Sequence, residues 1–510
     1  MKKSQEKTRL NSPLKRGLLV VLVFIVVIVA GLMIYINLKK NDISGELLQL
    51  VNNEIKGDFT VQSVSLGSLF SYPNLNVTIN GLEFHAPNVL PTHGEIVLSV
   101  PSIVFNADLS NVFSKQVIIK KLNIDKARLY IERDSSATSI IAEAFQPIGS
   151  VNSKPDSTRL FININELFIV NSEVIIKDDP SNVVLPFLIE RAKGNFILQN
   201  NIIKGALEMA INPFNFESLE GLMINNIPIK MITTYKVDID KDKVVIETKN
   251  LDIGGEAYAM NYDYNFSDKP SMKLALNSTE AGVNLDSLFV EEIDTVEHKE
   301  SIVLKGIGRF ESKASWNPDA EQPFLEALEA SFKLEGKDLK INGIDLDDMI
   351  NKYKRSQNFN LVDIGAVMFT GPAGLAVTKG GDFARLAFIK AGDSTHVNHF
   401  IAQWKMEQGL LKTEDVALST NSNLIAIEGR YQVQTDSLDF NFSVLDRRGC
   451  ELVGQRIYGD ATKPDYEKVN VLKTFMGPVK NFFRNIGMAK CDIIYAGKVK
   501  HPELKISQED

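Results

Sequence analysis

Apolar and polar residues alternate along most of the chain after residue 57. Alternation with a period of two, bounded by short polar turns, is typical of antiparallel strands with one apolar and one polar face. The clearest runs carry the apolar residues Leu75, Val77, Ile79, Leu438, Phe440 and Phe442.

Helical patterns are few and short. Helical spacing predicts short helices over 39–57 and at Thr138–Phe145, Asn284–Phe289 and Asp345–Tyr353. The strand–helix alternation of a parallel α/β sheet does not occur. The pattern therefore predicts a mainly β fold, an elongated and twisted antiparallel sheet with a few short helices. We expect one such domain over 58–460, with the acidic residues between 291 and 297 in a solvated loop.

One stretch of the pattern recurs at a fixed distance. We interpret each copy as a pair of strands closed by an acidic turn, which would place the copies side by side in one sheet. Chance similarity between alternating strands is the alternative. The residues Leu122, Ile124, Ala127, Leu129, Ile131 and Asp134 recur 45 positions later as Leu167, Ile169, Ser172, Val174, Ile176 and Asp179.

The region 17–36 is apolar and uncharged over twenty residues, which is enough for a helix to cross a bilayer of about 30 Å. It is too long for a signal peptide, and no cleavage site follows. Basic residues dominate the preceding 1–16 tail, so the positive-inside rule places that tail in the cytoplasm. We therefore expect a single transmembrane anchor over 17–38 in the inner (cytoplasmic) membrane, with the bulk of the chain in the periplasm.

Composition narrows the classes of function. The net charge of −8 argues against a nucleic-acid partner. The two cysteines, Cys450 and Cys491, exclude a multi-cysteine metal site. Because both follow the anchor into an oxidising compartment, we predict a disulfide between them, with two buried free thiols as the alternative.

The sequence contains no recognisable catalytic motif, and we predict no enzymatic activity and no cofactor. His396 and His399, near Asp393, are the best candidates for metal ligands. Their spacing would not place both on one helical face, so exposed loop residues are the better interpretation and no metal site is predicted. An anchored periplasmic hydrolase is the less favoured alternative.

The last segment, 461–510, combines an amphipathic helical pattern with a predicted final strand. Gly477-Pro478 should break the helix between 465 and 486. The stripe is rich in basic neighbours, so it suits either a membrane surface or a cap over the end of the sheet. Its apolar face consists of Val469, Leu472, Met476, Val479, Phe483 and Ile486.

Several segments follow the anchor in a characteristic order. They are Phe59–Leu66 with Pro73–Phe84, then Lys121–Asp134, Ile341–Leu346 before a helix, and Gln408–Asp415 followed by Ile425–Arg430. In this order the chain resembles the AsmA family of envelope proteins of Gram-negative-type cells. The match is weak from 185 to 330 and does not continue past Asp446.

The resemblance implies an open β-groove with an apolar interior that carries phospholipid between the inner and outer membranes and supports outer-membrane homeostasis. Lipid contact would then fall on Leu75, Val77, Ile79, Leu438, Phe440 and Phe442. About 30 strands at ~4.8 Å spacing would extend roughly 140 Å. Because that length is short for a full crossing of the envelope, we also expect an outer-membrane or periplasmic protein partner. A sheet whose apolar face forms a packed core alternates in the same way, so a non-transporting envelope scaffold is the rival interpretation.

Overall fold

The structure is a computed structural model. It describes residues 57–67, 74–86, 96–108, 110, 116–133, 161–178, 183–217, 223–265, 267, 269–287, 290–294, 299–317, 322–356, 393–461, 464–467 and 493–502. The predicted anchor, the predicted helix at 138–145 and the apolar stripe between 469 and 486 lie outside these residues, as does the predicted helix at 39–57 except for Gly57. Within the described ranges no helix is long and apolar enough to cross a membrane.

The chain is mainly β and mostly antiparallel, with few helices, as the alternation predicts. The described residues form 23 strands, and their α-helices are α1 (Phe324–Ala327) and α2 (Leu346–Ser356). Contacts divide the predicted single domain into two compact units. Unit 1 comprises 1–255, 259–273 and 317–319, and unit 2 comprises 256–258, 274–316 and 320–510.

Unit 1 is built from long strands that pair mainly with their neighbours in sequence. The antiparallel order runs from β1 to β2 and β3, and again from β6 through β10. The strands are β1 (Asp58–Leu66), β2 (Asn74–His85), β3 (Ile96–Asp108), β4 (Gln116–Asp125), β5 (Arg128–Arg133), β6 (Phe161–Asp178), β7 (Val183–Gln199), β8 (Ile202–Glu217), β9 (Met223–Asp238) and β10 (Lys243–Ile253).

The predicted repeat is the register of a parallel pairing. β4 and β5 lie end to end beside β6, and Leu122 faces Leu167 as Leu129 faces Val174, each pair 45 positions apart. Lys126 between β4 and β5, and Asn171 within β6, both have positive φ, so the two copies bend at equivalent positions. Each copy is thus one bent line of strand, and the two copies lie side by side in one sheet as predicted. The acidic residues of the predicted closing turns, Asp134 and Asp179, lie outside the described residues.

The core of unit 1 lies over the β1–β4 end of its sheet. Phe59 stacks on Phe84 with ring centroids 4.4 Å apart, and Val77 is completely buried. The cluster continues through Ile119 of β4 to Ile164 of β6 and thins out beyond it.

Unit 2 is an antiparallel meander from β16 to β23, preceded by shorter strands and a 3-10 helix at Leu285–Ser287. β11 (Glu256–Asn265) and β12 (Ser271–Ser278) contribute residues to both units. The remaining strands are β13 (Val283–Asn284), β14 (Val290–Asp294), β15 (Lys299–Lys305), β16 (Ile307–Trp316), β17 (Glu329–Asn342), β18 (Ser394–Glu407), β19 (Leu410–Thr420), β20 (Leu424–Gln432), β21 (Ser437–Leu445), β22 (Glu451–Asp460) and β23 (Asp465–Tyr466).

Helix α2 confirms the predicted helix at 345–353 and runs a little further. The Asp345 carboxylate accepts the Asp348 backbone N–H at 2.9 Å, which satisfies one of the free donors of the first turn. Leu346 and Ile350 are fully buried, one turn apart on the face that packs into the unit. The amphipathic pattern therefore predicts both the position of the helix in the sequence and the side of it that is buried.

Residues 493–502 pack against strands β18 and β19 of unit 2. Val499 is buried with Ile401 and Ala417. The Tyr495 hydroxyl donates to the Asp415 carboxylate at 2.6 Å. Burial, followed by the hydrogen bond to Asp415, raises the pKa of Tyr495 well above its ordinary value.

Three sequence predictions need correction in unit 2. Residues 291–294 of the acidic stretch expected to be a loop belong to strand β14, which pairs with β15 because an edge hairpin accommodates charged residues. Glu297 lies outside the described residues. His396 and His399 lie within β18 and not in a loop, since their backbone pairs with β17. Within the described residues 493–502, the predicted final strand is a single bridge at Ile493, because the next two backbone N–H groups both bond the Gly449 carbonyl.

Candidate functional site

One face of the β6–β10 sheet is apolar across five strands. The register aligns a continuous row of side chains from Ile169 through Ala192, Met209 and Met231 to Leu251. With strands ~4.8 Å apart, this row is about 19 Å wide. Neighbouring rows on the same face add Ile211, Ile229, Ile253, Ile203, Val237 and Val244.

Burial changes along this face. Leu198 and Ile203, which belong to the unit 1 core, are only 4% and 3% exposed. Ile169, Met209 and Met231 are half-buried, whereas Ala192 and Leu251 in the same row are buried, at 1% and 4% exposed. Apolar side chains that keep part of their surface in water do not form a closed core. We therefore call the apolar face of β6–β10 around Ile169, Met209 and Met231 the half-open apolar face.

The polar groups on this face are bonded within the protein. Thr248 donates to Thr233 at 2.9 Å, and Thr233 donates to the Glu247 carbonyl at 3.1 Å. The Tyr235 hydroxyl donates to the Asn195 carbonyl at 2.7 Å, and burial raises the pKa of Tyr235 to about 12. These groups need no external partner, so the face presents hydrocarbon to whatever lies against it.

A glycine makes room for Tyr235. A Cβ at position 205 would overlap the carbonyl oxygen of Asn195 and lie 2.5 Å from the tyrosine hydroxyl. Gly205 therefore lets the tyrosine lie flat across the neighbouring strand, where it packs against the edge of the unit 1 core.

The groove residues predicted from the sequence lie elsewhere. All six are buried, at 0% to 7% exposed, three in the unit 1 core and three in unit 2. Burial at these positions favours the packed-core alternative, and lipid contact there stays a prediction. The six are Leu75, Val77, Ile79, Leu438, Phe440 and Phe442.

The half-open apolar face is not predicted from the sequence, although its residues follow the alternation of a strand. Met209 and Ile211 in β8, and Ile229 and Met231 in β9, each obey the period of two. They fall between 185 and 330, where the family resemblance is weakest. Alternation alone also does not reveal how deeply an apolar residue is buried.

Other predicted site residues do not converge on a reaction centre. His399 bonds the Glu335 carboxylate at 3.0 Å, whereas His396 is exposed. Partial burial raises the pKa of Glu335, but hydrogen bonds from Lys333 and His399 lower it below its ordinary value. No group of three or more metal-ligating side chains occurs among the residues that the structure describes.

Cys450 is fully buried and disulfide-bonded. The only other cysteine in the sequence, Cys491, lies outside the described residues. A backbone bridge joins Cys450 to Ile493, close to that second cysteine in sequence. The six apolar residues predicted on the C-terminal helix, Val469 to Ile486, also lie outside the described residues.

Fold and faces together define a mainly β protein with an apolar sheet surface. In comparisons with protein-family models, curated proteins and solved structures, no match to the chain is found.

Proposed function

We propose that this chain carries phospholipid in the bacterial periplasm and that the half-open apolar face holds the acyl chains. The observation that carries the proposal is the row Ile169, Ala192, Met209, Met231 and Leu251, which is apolar across five strands and incompletely covered at Ile169, Met209 and Met231. This function agrees with the resemblance to the AsmA family.

Physical chemistry makes such a face a suitable carrier. Each acyl methylene in water costs about 0.8 kcal/mol, so a lipid crossing an aqueous space must keep its chains covered. Methionine side chains are flexible and adapt to irregular apolar partners, which suits chains of varied shape. The polar groups on this face are already bonded, so a hydrocarbon chain would leave none of them without a partner.

Photo-crosslinking in cells tests this directly. A photoreactive phenylalanine analogue would be placed at Met209 or Met231, and crosslinked phosphorus-labelled lipid would be counted after purification under denaturing conditions. The matched controls are Glu208 and Lys230, each adjacent in sequence and exposed on the opposite face. We expect lipid adducts at the methionines and background at the controls. Equal labelling of all four positions would contradict the proposal.

The anchor belongs to the same proposal. Residues 17–36 would hold the chain in the inner membrane with its N-terminus in the cytoplasm, and the rest would reach the periplasm. Protease added to intact spheroplasts should then degrade both units. Protection of the C-terminal unit until the spheroplasts are lysed would refute this topology.

A second candidate, a non-transporting envelope scaffold, is favoured by a different observation. The predicted groove residues Val77 and Ile79 in unit 1, and Phe440 in unit 2, lie in closed cores that offer no room for a lipid. A scaffold of this kind would give no lipid adducts at Met209 or Met231, so the crosslinking experiment separates the two functions.

A further inference from the structure

A second surface of unit 1 carries a concavity of about 530 Å³. Most of its lining residues lie on the polar face of β7–β10, opposite the half-open apolar face, because strand side chains alternate between the faces. Gly205 and Tyr235 are the lining residues whose register places them on the apolar face. Its lining combines charged, polar and small apolar residues. These are Asn195, Ile197, Lys204, Gly205, Ala206, Thr234, Tyr235, Lys236, Val245 and Glu247.

Two lysines stand side by side in this concavity. Lys204 on β8 and Lys236 on β9 are directly opposite each other in the register, and both are exposed. Like charges at directly opposite positions of neighbouring strands destabilise a sheet, with Cβ atoms only ~5 Å apart. Neither lysine makes an ion pair with any residue that the structure describes. Glu247, the acidic residue of the lining, faces Thr234 in the next row.

A neutral donor lies beside the lysines. The Asn195 side-chain oxygen accepts the Ala206 backbone N–H at 2.8 Å, which points its amide nitrogen away from that bond. Among the residues that the structure describes, this nitrogen has no hydrogen-bond acceptor, so it can donate to a ligand. Two ammonium groups and an amide donor around one concavity match the oxygens of a phosphate group, which can accept several charge-assisted hydrogen bonds. A phosphate between Lys204 and Lys236 would also replace their repulsion with two attractions.

We infer that this concavity is a binding site for a phosphate-bearing anion, held by Lys204, Lys236 and Asn195. The phosphate could come from an anionic lipid headgroup at a bilayer surface or from a soluble phosphate ester, and the chemistry of recognition is shared. The site is separate from the half-open apolar face, so its ligand is independent of the acyl chains of the proposed function.

The test uses the purified full-length chain in detergent. Its affinity for inorganic phosphate and for glycerol phosphate would be measured by titration at fixed ionic strength, with chloride as the reference anion. The double variant Lys204→Gln/Lys236→Gln should bind at least about tenfold more weakly, because it loses two charge-assisted contacts. Glutamine keeps most of the side chain and removes the repulsion, so this variant should unfold at the same or a higher temperature.

The control variant Lys230→Gln/Lys313→Gln removes two other exposed lysines and changes the net charge equally. It should bind phosphate as the wild type does. Binding of the soluble probes identifies a soluble ester. Binding confined to vesicles containing phosphatidic acid, and lost in the first variant alone, identifies a headgroup. Equal affinities of the two double variants, or no binding of any probe, would overturn the site while leaving the crosslinking result at Met209 unaffected.

Discussion

Replacing Ile79 with aspartate should unfold unit 1. Ile79 is 3% exposed and lies in the unit 1 core, with Val64 opposite it on β1 and Ile103 opposite it on β3. The substitution removes a buried side chain and puts a carboxyl group in its place. Both of these cross-strand neighbours are aliphatic and offer no charge that could pair with the carboxylate.

Two costs add at this position. Truncating a buried isoleucine costs about 2–5 kcal/mol through lost burial and the cavity left behind. A carboxyl group in that core must be neutral, and holding it protonated at pH 7 against an ordinary pKa near 3.9 costs about 4 kcal/mol more. The total of roughly 6–9 kcal/mol falls within the whole stability of a typical domain, about 5–15 kcal/mol.

Far-UV circular dichroism of the full chain would follow thermal unfolding of the sheet. Both tryptophans, Trp316 and Trp404, belong to unit 2, so tryptophan fluorescence reports on that unit. We expect Ile79→Asp to lower the dichroism transition more than the fluorescence transition. The matched variant is Met231→Asp, where water reaches the half-open apolar face and a cost of about 1 kcal/mol is expected. Equal destabilisation by the two substitutions would refute the distinction between closed core and half-open face.

Three further changes probe other parts of the fold. A hydrogen bond from Arg456 holds the pKa of Asp439 below its ordinary value of 3.8, so the pair stabilises the fold above about pH 4 and loses this contribution as the pH falls. Asp439→Asn should therefore flatten the fall in unfolding temperature below about pH 4, and an unchanged acid profile would count against the pair. Gly205→Ala should cost about 1–3 kcal/mol through overlap with the Asn195 carbonyl, and a thermal melt matching the wild type would contradict that overlap. Cys450→Ser should cost roughly 4 kcal/mol in denaturant unfolding, and full thiol labelling of the unreduced, denatured wild type would disprove the disulfide.

Many of the strands can be predicted from the sequence, because alternation of apolar and polar residues is typical of a sheet with two different faces. The runs around Val77 and Phe440 are strands, as predicted, and the helix after Asp345 begins where its cap and apolar spacing require. The repeat linking Leu122 to Leu167 goes further, since it contains the register of a parallel pairing. Parallel strands in register place equivalent residues side by side. Those residues share one environment in the sheet, so similar residue types suit both strands.

The candidate site was harder to predict because it depends on what covers a face, not on the face itself. Val77 and Met231 both obey the same alternation, yet one is fully buried and the other half-buried. Burial depends on residues distant in sequence that pack across the sheet, which a local pattern does not contain. For the same reason the sequence alone does not predict that Lys204 lies opposite Lys236, because that requires the register of β8 and β9.

The placement of residues 493–502 has a consequence for how the chain matures. Val499 completes a cluster with Ile401 and Ala417, and Tyr495 bonds Asp415, so residues near the end of the sequence close unit 2. Because a chain is synthesised from its N-terminus, strands β18 and β19 are complete before residues 493–502 are made. Unit 1 can fold while synthesis continues, whereas unit 2 waits with uncovered strands that are prone to associate. A nascent or truncated chain that lacks residues 493–502 is therefore the form that chaperones and proteases would recognise first.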